Sequence, residues 1–357
     1  MTLTLTVDGD RWRGHLRELA SATPGLVPVL KGNGYGFGLS RLARRAQWLH
    51  DQGLGVDCLA VGTYDELPEV AQRFHGDLLV MTPWRPFGAA LDIDDHLAQR
   101  VIHTVSRPED AHDLLTRRPD ARFVVEVLTS MRRHGHTRRS LDETVQVLRD
   151  LDRHPRIEGV AIHLPLASGS HLGEVRRLVN TVVGAELRTR RLWVSHLTRD
   201  ELGTLRSTYQ DFEVRPRVGT SLWLGDRGAL RVTGTVLDVH ALERGEVFGY
   251  RGRSAPKAGH LLVVSGGTAH GIGLEAPTGD TSIKARAATL ARGGLDAVGF
   301  VRSPYSIDGK QRLFAEPPHM QASMLFLPQG ARVPAVGDEI DVRVRYTATS
   351  FDRVVVT

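Results

Sequence analysis

Leu26-Val-Pro-Val-Leu-Lys-Gly-Asn-Gly-Tyr-Gly-Phe-Gly38 opens with five apolar residues, closes them with a lysine, and then runs through four glycines in seven positions. A run that is apolar at successive positions has no polar face, so as a strand it belongs in a sheet covered on both sides. A lysine closing such a strand is costly to bury unless it is paired, covalently modified or set at an exposed mouth. A solvated lysine at a strand end is the plainer reading, and both stay open at this point. The glycines allow close backbone approach to a ligand, and Tyr35 adds a hydroxyl. The stretch matches neither of the common glycine-rich phosphate motifs.

The same pattern recurs outward from this segment. Short apolar runs at 26–31, 58–62, 78–82, 101–105, 122–128, 157–164, 191–197 and 212–218 alternate with helix-like stretches such as 40–52 and 141–151. Eight strand–helix units over roughly 220 residues fit an α/β fold of the (β/α)8 TIM-barrel kind. A doubly wound open sheet is the alternative, and it lacks the glycine signature after its first strand. After Gly225 the pattern becomes strands at 232–242, 261–265, 298–301, 323–327 and 340–344 between Gly and Pro turns, with one helix-like piece at 283–291. The expected organisation is a barrel over 11–225 and a mostly β C-terminal domain over 226–357. A first strand within 1–10 is expected to join the second domain.

Composition excludes several classes. Of the 357 residues 41% are hydrophobic, which suffices for a sizeable core and argues against disorder. The net charge of +5 is small and scattered, and no basic stripe with interleaved aromatics appears, so no nucleic-acid partner is expected. The single cysteine, Cys58, forbids an intrachain disulfide and sits in an apolar run, so it reads as a core residue. The N-terminus alternates like a strand, with no basic start and no long apolar run. No membrane partner is therefore expected, and a cytoplasmic location follows by default. No metal is expected.

Barrel enzymes build their sites at the C-terminal ends of the strands. Lys31 falls at the first such end. Arg132 and Arg133 follow the fifth strand and suit a carboxylate or phosphate, or else lie solvated on the surface. His163 falls within the sixth strand, where a lone histidine reads as a satisfied core group ahead of a catalytic one. Ser195 ends the seventh strand, where it holds a ligand or caps a helix. Arg215 and Arg217 alternate in the eighth strand, so they face the same way, and a charge pointing into a barrel needs a partner. Gly219 and Thr220 follow, where exposed backbone N–H groups suit a phosphate.

With these residues in place, the sequence resembles the alanine racemase family. The family's lysine followed by Ala-Asn-Ala-Tyr-Gly-His-Gly is similar to Lys31-Gly-Asn-Gly-Tyr-Gly-Phe-Gly38. The family's second-strand segment resembles Ala60-Val-Gly-Thr-Tyr-Asp-Glu66, and Thr-Gly-Met-Gly-Arg-x-Gly resembles Thr129-Ser-Met-Arg-Arg-His-Gly135. Arg-Pro-Gly-Ile-Ala-Leu-Tyr-Gly resembles Arg217-Val-Gly-Thr-Ser-Leu-Trp223. The resemblance implies pyridoxal 5'-phosphate as cofactor, with Lys31 its Schiff-base lysine. Arg133 would lie near the ring hydroxyl and the substrate carboxylate. Arg217 would partner the pyridine nitrogen, with His163 hydrogen-bonded to it. Ser195 falls on the family's serine after the seventh strand, and Tyr35, Gly219 and Thr220 would meet the phosphate.

Past Gly225 the match loosens. The family's second base is a tyrosine in Gly-Glu-x-Val-x-Tyr-Gly; here the segment is Gly245-Glu-Val-Phe-Gly-Tyr-Arg251, where Tyr250 is the nearby phenol and Phe248 competes for the position. Met-Asp-Gln-x-Met resembles Met320-Gln-Ala-Ser-Met324, so Met320 would stand near the substrate. The entrance tyrosine is lost in Gly266-Gly-Thr-Ala-His-Gly271, the C-terminal tyrosine is replaced by Phe351, and the often carbamylated lysine is Glu126. A carboxylate at that place could still neutralise Arg133 without modification.

The implied function is racemisation of an amino acid by two bases, Lys31 and Tyr250, on opposite faces of the substrate, in a homodimer with shared active sites. The alternatives are another pyridoxal phosphate reaction on the same scaffold, or binding of cofactor or amino acid without turnover.

Overall fold

The computed structural model describes residues 2–151, 155–166, 169–274 and 301–357. The predicted helix at 283–291 and most of the predicted strand at 298–301 lie outside the described residues. The chain divides into two compact units. One comprises Arg13–Gly34 and Gly38–Gly225; the other comprises Met1–Trp12, Tyr35–Phe37 and Asp226–Thr357.

Strand β1 (Leu3–Val7) and helix α1 (Gly9–Ser21) precede the barrel. Its strands and helices alternate as β2 (Val27–Leu30), α2 (Leu39–Asp51), β3 (Cys58–Val61), α3 (Leu67–Ala71), β4 (Asp77–Pro83), α4 (Asp95–Ala98), β5 (Val101–Val105), α5 (Pro108–Arg117) and β6 (Arg122–Val127). They continue as α6 (Arg138–Asp150), β7 (Arg156–Ile162), α7 (Leu172–Gly184), β8 (Arg191–Ser195), α8 (Arg199–Thr208), β9 (Glu213–Val218) and α9 (Thr220–Trp223). Strands β2 to β9 form a closed parallel barrel, which β2 completes by pairing with β9 through Val27 and Arg217. This is the expected (β/α)8 class.

The apolar runs close because both faces are covered. Inside, Val27, Val29, Cys58, Ala60, Leu79, Ile102, Val124, Ala161 and Trp193 pack into one cluster. Cys58 belongs to this plug, and burial pushes its thiol up, away from nucleophilic use. Outside, helices present one apolar stripe each; α2 buries Leu39, Leu42, Ala43, Ala46 and Leu49 at helical spacing. Side-chain caps start α6 at Thr137 and α8 at Thr198. Below the plug, alternating charges link strand starts: Asp77 to Arg122 at 2.5 Å, Arg122 to Glu158 at 2.7 Å, Glu158 to Arg191 at 2.9 Å, and Arg191 to Glu213 at 2.7 Å. Arg215 extends this chain to Asp57, which answers one of the two inward charges.

The second unit is built on β10 (Leu230–Leu242), β11 (Val247–Phe248), β12 (Arg253–Ser254), β13 (Gly259–Ser265), β14 (Arg302–Ile307), β15 (Lys310–Phe314), β16 (Ala322–Pro328), β17 (Glu339–Val342) and β18 (Arg353–Val356). Eight strands follow the order β13-β16-β15-β14-β17-β10-β1-β18, and β13 also pairs with β10. Strand β1 runs antiparallel to β10 and parallel to β18. Leu3, Leu5, Val232, Val236, Val264, Tyr305 and Leu325 are buried in this unit.

Two boundaries differ from the sequence reading in a way that matters. Strand β2 stops at Leu30 and β7 at Ile162, so Lys31 and His163 are each the first residue beyond a strand. Pro165 lacks the N–H that a longer β7 would need.

Candidate functional site: the mouth of the barrel

Side chains alternate along a strand, so the residue two beyond each plug residue enters the next layer toward the C-terminal mouth. On β2 the inward positions Val27 and Val29 are followed by Lys31. On β6 Val124 is followed by Glu126, and on β7 Ala161 by His163. On β8 Trp193 is followed by Ser195, and on β9 Arg215, whose guanidinium lies over Trp193, by Arg217. The apolar plug thus gives way in one step to a polar layer.

The layer is rich in cations. Arg217 is buried; its Nη2 donates to the Ile162 carbonyl at 3.2 Å, while its Nε has no hydrogen-bond partner. Burial lowers its pKa to about 10, Arg133 adds to the fall and Glu126 opposes it. Glu126 is also buried, and its Oε2 has no partner. Burial raises its pKa against the pull of Arg217, Arg133 and Arg85. Partial burial of Lys31, reinforced by Arg133 and Arg217 and opposed by Glu66, lowers the pKa of its amine. His163 is drawn down to about 3 by burial and by Arg217, Arg133, His196 and Lys31, so its ring is neutral near pH 7.

The family resemblance implied a bond from His163 to Arg217. In the structure the His163 Nδ1 lies 2.9 Å from Ser195 Oγ, and Arg217 bonds the carbonyl one residue before His163. Ser195 is free for this contact because the cap of α8 is Thr198. The loop carrying Arg133 is tied by Thr129, which donates to the His163 carbonyl at 2.7 Å, and by Ser130, whose N–H donates to Glu174 at 2.6 Å. Arg133 itself is exposed at the mouth. The corner after β9 is entered at Gly219 without a side-chain cap. Trp223 Nε1 donates to the Val29 carbonyl at 2.8 Å and so pins α9 to the strand that carries Lys31.

Glu66 holds the other side of Lys31. Its Oε1 accepts the Gly32 N–H at 2.7 Å, and its Oε2 accepts the Gly62 N–H at 2.6 Å and the Thr63 N–H at 3.2 Å. Sequence reading passed over Glu66 as a site residue, although Thr63-x-x-Glu66 carries the capping-box pattern that the structure forms.

Tyr35 is buried with a left-handed φ of 55°, and it clusters with the second unit. In that unit Trp12 stacks on Phe37, with ring centroids 4.8 Å apart. Phe351 closes over Gly36, where a Cβ would meet its ring. Phe248 and Tyr250 differ in burial. Phe248 packs on the cluster of Leu242, Ala255, Leu261 and Ala315, whereas Tyr250 is 88% exposed. Tyr250 and Met320 line one groove of about 750 Å3, together with Glu316, His319 and Gln321. Glu316 and His319 carried no periodic or motif signal. Among the described residues no group of three or more His, Cys, Asp or Glu is placed to hold a metal, and no helix is long and apolar enough to cross a membrane.

A closed barrel with a lysine, two arginines and a neutral histidine at its mouth, joined in one chain to a β-rich unit, defines the class of protein. Residues 7–198, more than half of the chain, match the family described as alanine racemase, N-terminal domain, and the chain belongs to this family. Alanine racemase from Bartonella henselae, solved with covalently bound pyridoxal phosphate, superposes at a TM-score of 0.73 with 16% identity, covering 100% of both chains. Alanine racemase from Bacillus anthracis with bound L-Ala-P gives 0.68 and 17%, covering 96% of this chain and 85% of that one. The biosynthetic enzyme of Pseudomonas aeruginosa gives 0.65 and 20%, covering 97% and 91%. At these identities the likeness shows the fold. No curated protein matches the chain.

Proposed function

We propose that the protein is a pyridoxal phosphate-dependent racemase of an amino acid, with Lys31 and Tyr250 as its two bases. The observation that carries this reading is Lys31: an amine just past the first barrel strand, its pKa lowered by burial, Arg133 and Arg217, inside the family's motif. The residues present fit the cofactor. The unpartnered Nε of buried Arg217 is a donor for its ring nitrogen, and an uncapped glycine corner follows β9. In this reading Lys31 would hold the cofactor, Arg133 would meet its ring hydroxyl and the substrate carboxylate, and Gly219, Thr220 and Tyr35 would meet its phosphate. When bound, pyridoxal phosphate supplies the electron sink that makes the substrate α-hydrogen acidic.

Lys31 Nζ, in its neutral form, would take the α-proton from one face. Tyr250 Oη delivers a proton to the other face, and the reverse direction exchanges the two roles. Arg217 remains charged near neutral pH and would keep a ring nitrogen beside it unprotonated, which suits plain proton exchange. Neutral His163 and Ser195 hold each other at the mouth and add no charge to it. Residues 11–225 form the cofactor domain. Residues 226–357 close the barrel of a second copy, so that Tyr250 and Met320 act across a two-fold dimer.

The test uses purified protein with pyridoxal phosphate added. The visible absorbance of a lysine-bound cofactor is expected, lost in Lys31→Ala, together with exchange of the α-hydrogen of an amino acid in deuterated water. Absence of exchange with every common amino acid overturns the racemase reading.

A further inference from the structure

The racemase reading asks a phenol to take and give a proton near neutral pH, where a free phenol is a weak base. The groove wall supplies a second group beside it. Glu316 is only 2% exposed, and a buried carboxylate without a partner is costly. His319 Nε2 lies 2.6 Å from Glu316 Oε1, and the backbone N–H of Tyr250 points to the same oxygen at 3.4 Å. Gly249 takes a φ of +71°, and a Cβ there would overlap the Glu316 carboxylate, so the chain is shaped to admit it. The His319 ring packs on the Tyr250 ring, with centroids 4.7 Å apart and planes at 57°. Carboxylate, imidazole and phenol follow one another from the buried interior to the exposed wall, beside Met320.

We propose that Glu316 and His319 are the positioning pair of the Tyr250 phenol: the buried carboxylate orients the imidazole, which holds the phenol ring on the groove wall. This rests on the racemase reading. It adds two residues that act through Tyr250.

The experiment separates the two faces of the reaction. Holoprotein in deuterated water is given L- or D-alanine, or the amino acid on which the exchange screen succeeds. NMR follows α-deuteration and chiral chromatography follows inversion. His319→Phe keeps an aromatic ring against Tyr250 and removes both nitrogens; His319→Gln keeps an N–H donor for Glu316. With the Tyr250 arm impaired, inversion falls about 100-fold in kcat in His319→Phe, with KM within about twofold. The enantiomer deprotonated by Lys31 still exchanges with retention, so the ratio of deuteration to inversion rises roughly tenfold, as it does in Tyr250→Phe. His319→Gln recovers part of the inversion. If the single variant does not fold, Glu316→Gln/His319→Phe removes the stranded charge and is read in the same way. A wild-type ratio of deuteration to inversion, whether activity is unchanged or falls evenly, overturns the pairing. Wild-type protein that neither deuterates nor inverts any amino acid overturns the racemase reading itself, which is a separate result.

Discussion

The backbone N–H of Gly32 donates to Glu66 Oε1 at 2.7 Å, which ties the residue after Lys31 to a carboxylate that also accepts the Gly62 N–H from the end of β3. Of the charged groups around the Lys31 amine, Glu66 holds its pKa up while Arg133 and Arg217 lower it.

Glu66→Gln keeps the shape and removes the charge. The Lys31 amine is then expected to titrate at lower pH than in the wild type, read by competitive acylation of cofactor-free protein across a pH series with mass spectrometry. Turnover is expected to fall about tenfold through misplacement of Lys31. A Lys31 titration that stays in place or moves upward contradicts this role.

Gly62 has no room for a side chain. A Cβ there would stand 2.9 Å from the Lys31 Cβ and 3.0 Å from Glu66 Oε2. Gly62→Ala should cost about 1–3 kcal/mol in urea unfolding, the usual scale of overpacking. It should also weaken cofactor retention on dialysis more than an alanine placed at Gly14, where a Cβ meets nothing.

Glu126 gives a prediction with a definite sign. Its pKa is raised in the folded protein, chiefly by burial, so folding favours the protonated carboxyl. The stabilisation from that proton is present at low pH and is lost as pH rises through the folded pKa. Glu126→Gln mimics the protonated form. It should be at least as stable as wild type at pH 8, and the difference should shrink toward pH 4. A variant less stable than wild type at pH 8 shows that the carboxylate contributes more as a partner of Arg217 than it costs to bury.

His103 is buried, with Nδ1 3.0 Å from Tyr64 Oη, and its pKa is lowered to about 3 by burial with help from Arg118. An unfolded histidine titrates near 6.5. Between these values the unfolded chain binds a proton that the folded chain refuses, so stability falls as pH drops from about 6.5 toward 3. His163 acts in the same direction. His103→Gln should flatten the slope of stability against pH in that window by up to one proton, about 1.4 kcal/mol per pH unit. An unchanged slope of the urea midpoint would show that His103 is protonated in the folded state.

The barrel was legible because its cause is local. Eight apolar runs without a polar face demand cover on both sides, and closing them leaves the residue after each run at one mouth. Lys31, Arg217 and the partner that Arg215 requires could be read from that rule and from the two-residue period of a strand. The family motif then singled out Lys31, although the lysine lies one residue beyond the strand it was expected to end.

Contacts between residues far apart in the chain were not legible, because no spacing encodes them. The pairing of His163 with Ser195 rather than Arg217 depends on rotamers set by packing between neighbouring strands. That Phe248 is absorbed by the cluster around Leu261 while Tyr250 stays exposed depends on packing across the second unit. The contacts of Glu316 and His319 with Tyr250, and that of Glu66 with the Gly32 N–H beside Lys31, formed only when folding brought distant residues together. By itself the sequence determined the barrel and the place of its lysine, through apolar pattern and strand period. The tertiary structure alone decided which groups stand beside that lysine and beside the phenol, because burial and side-chain contact are properties of the packed chain.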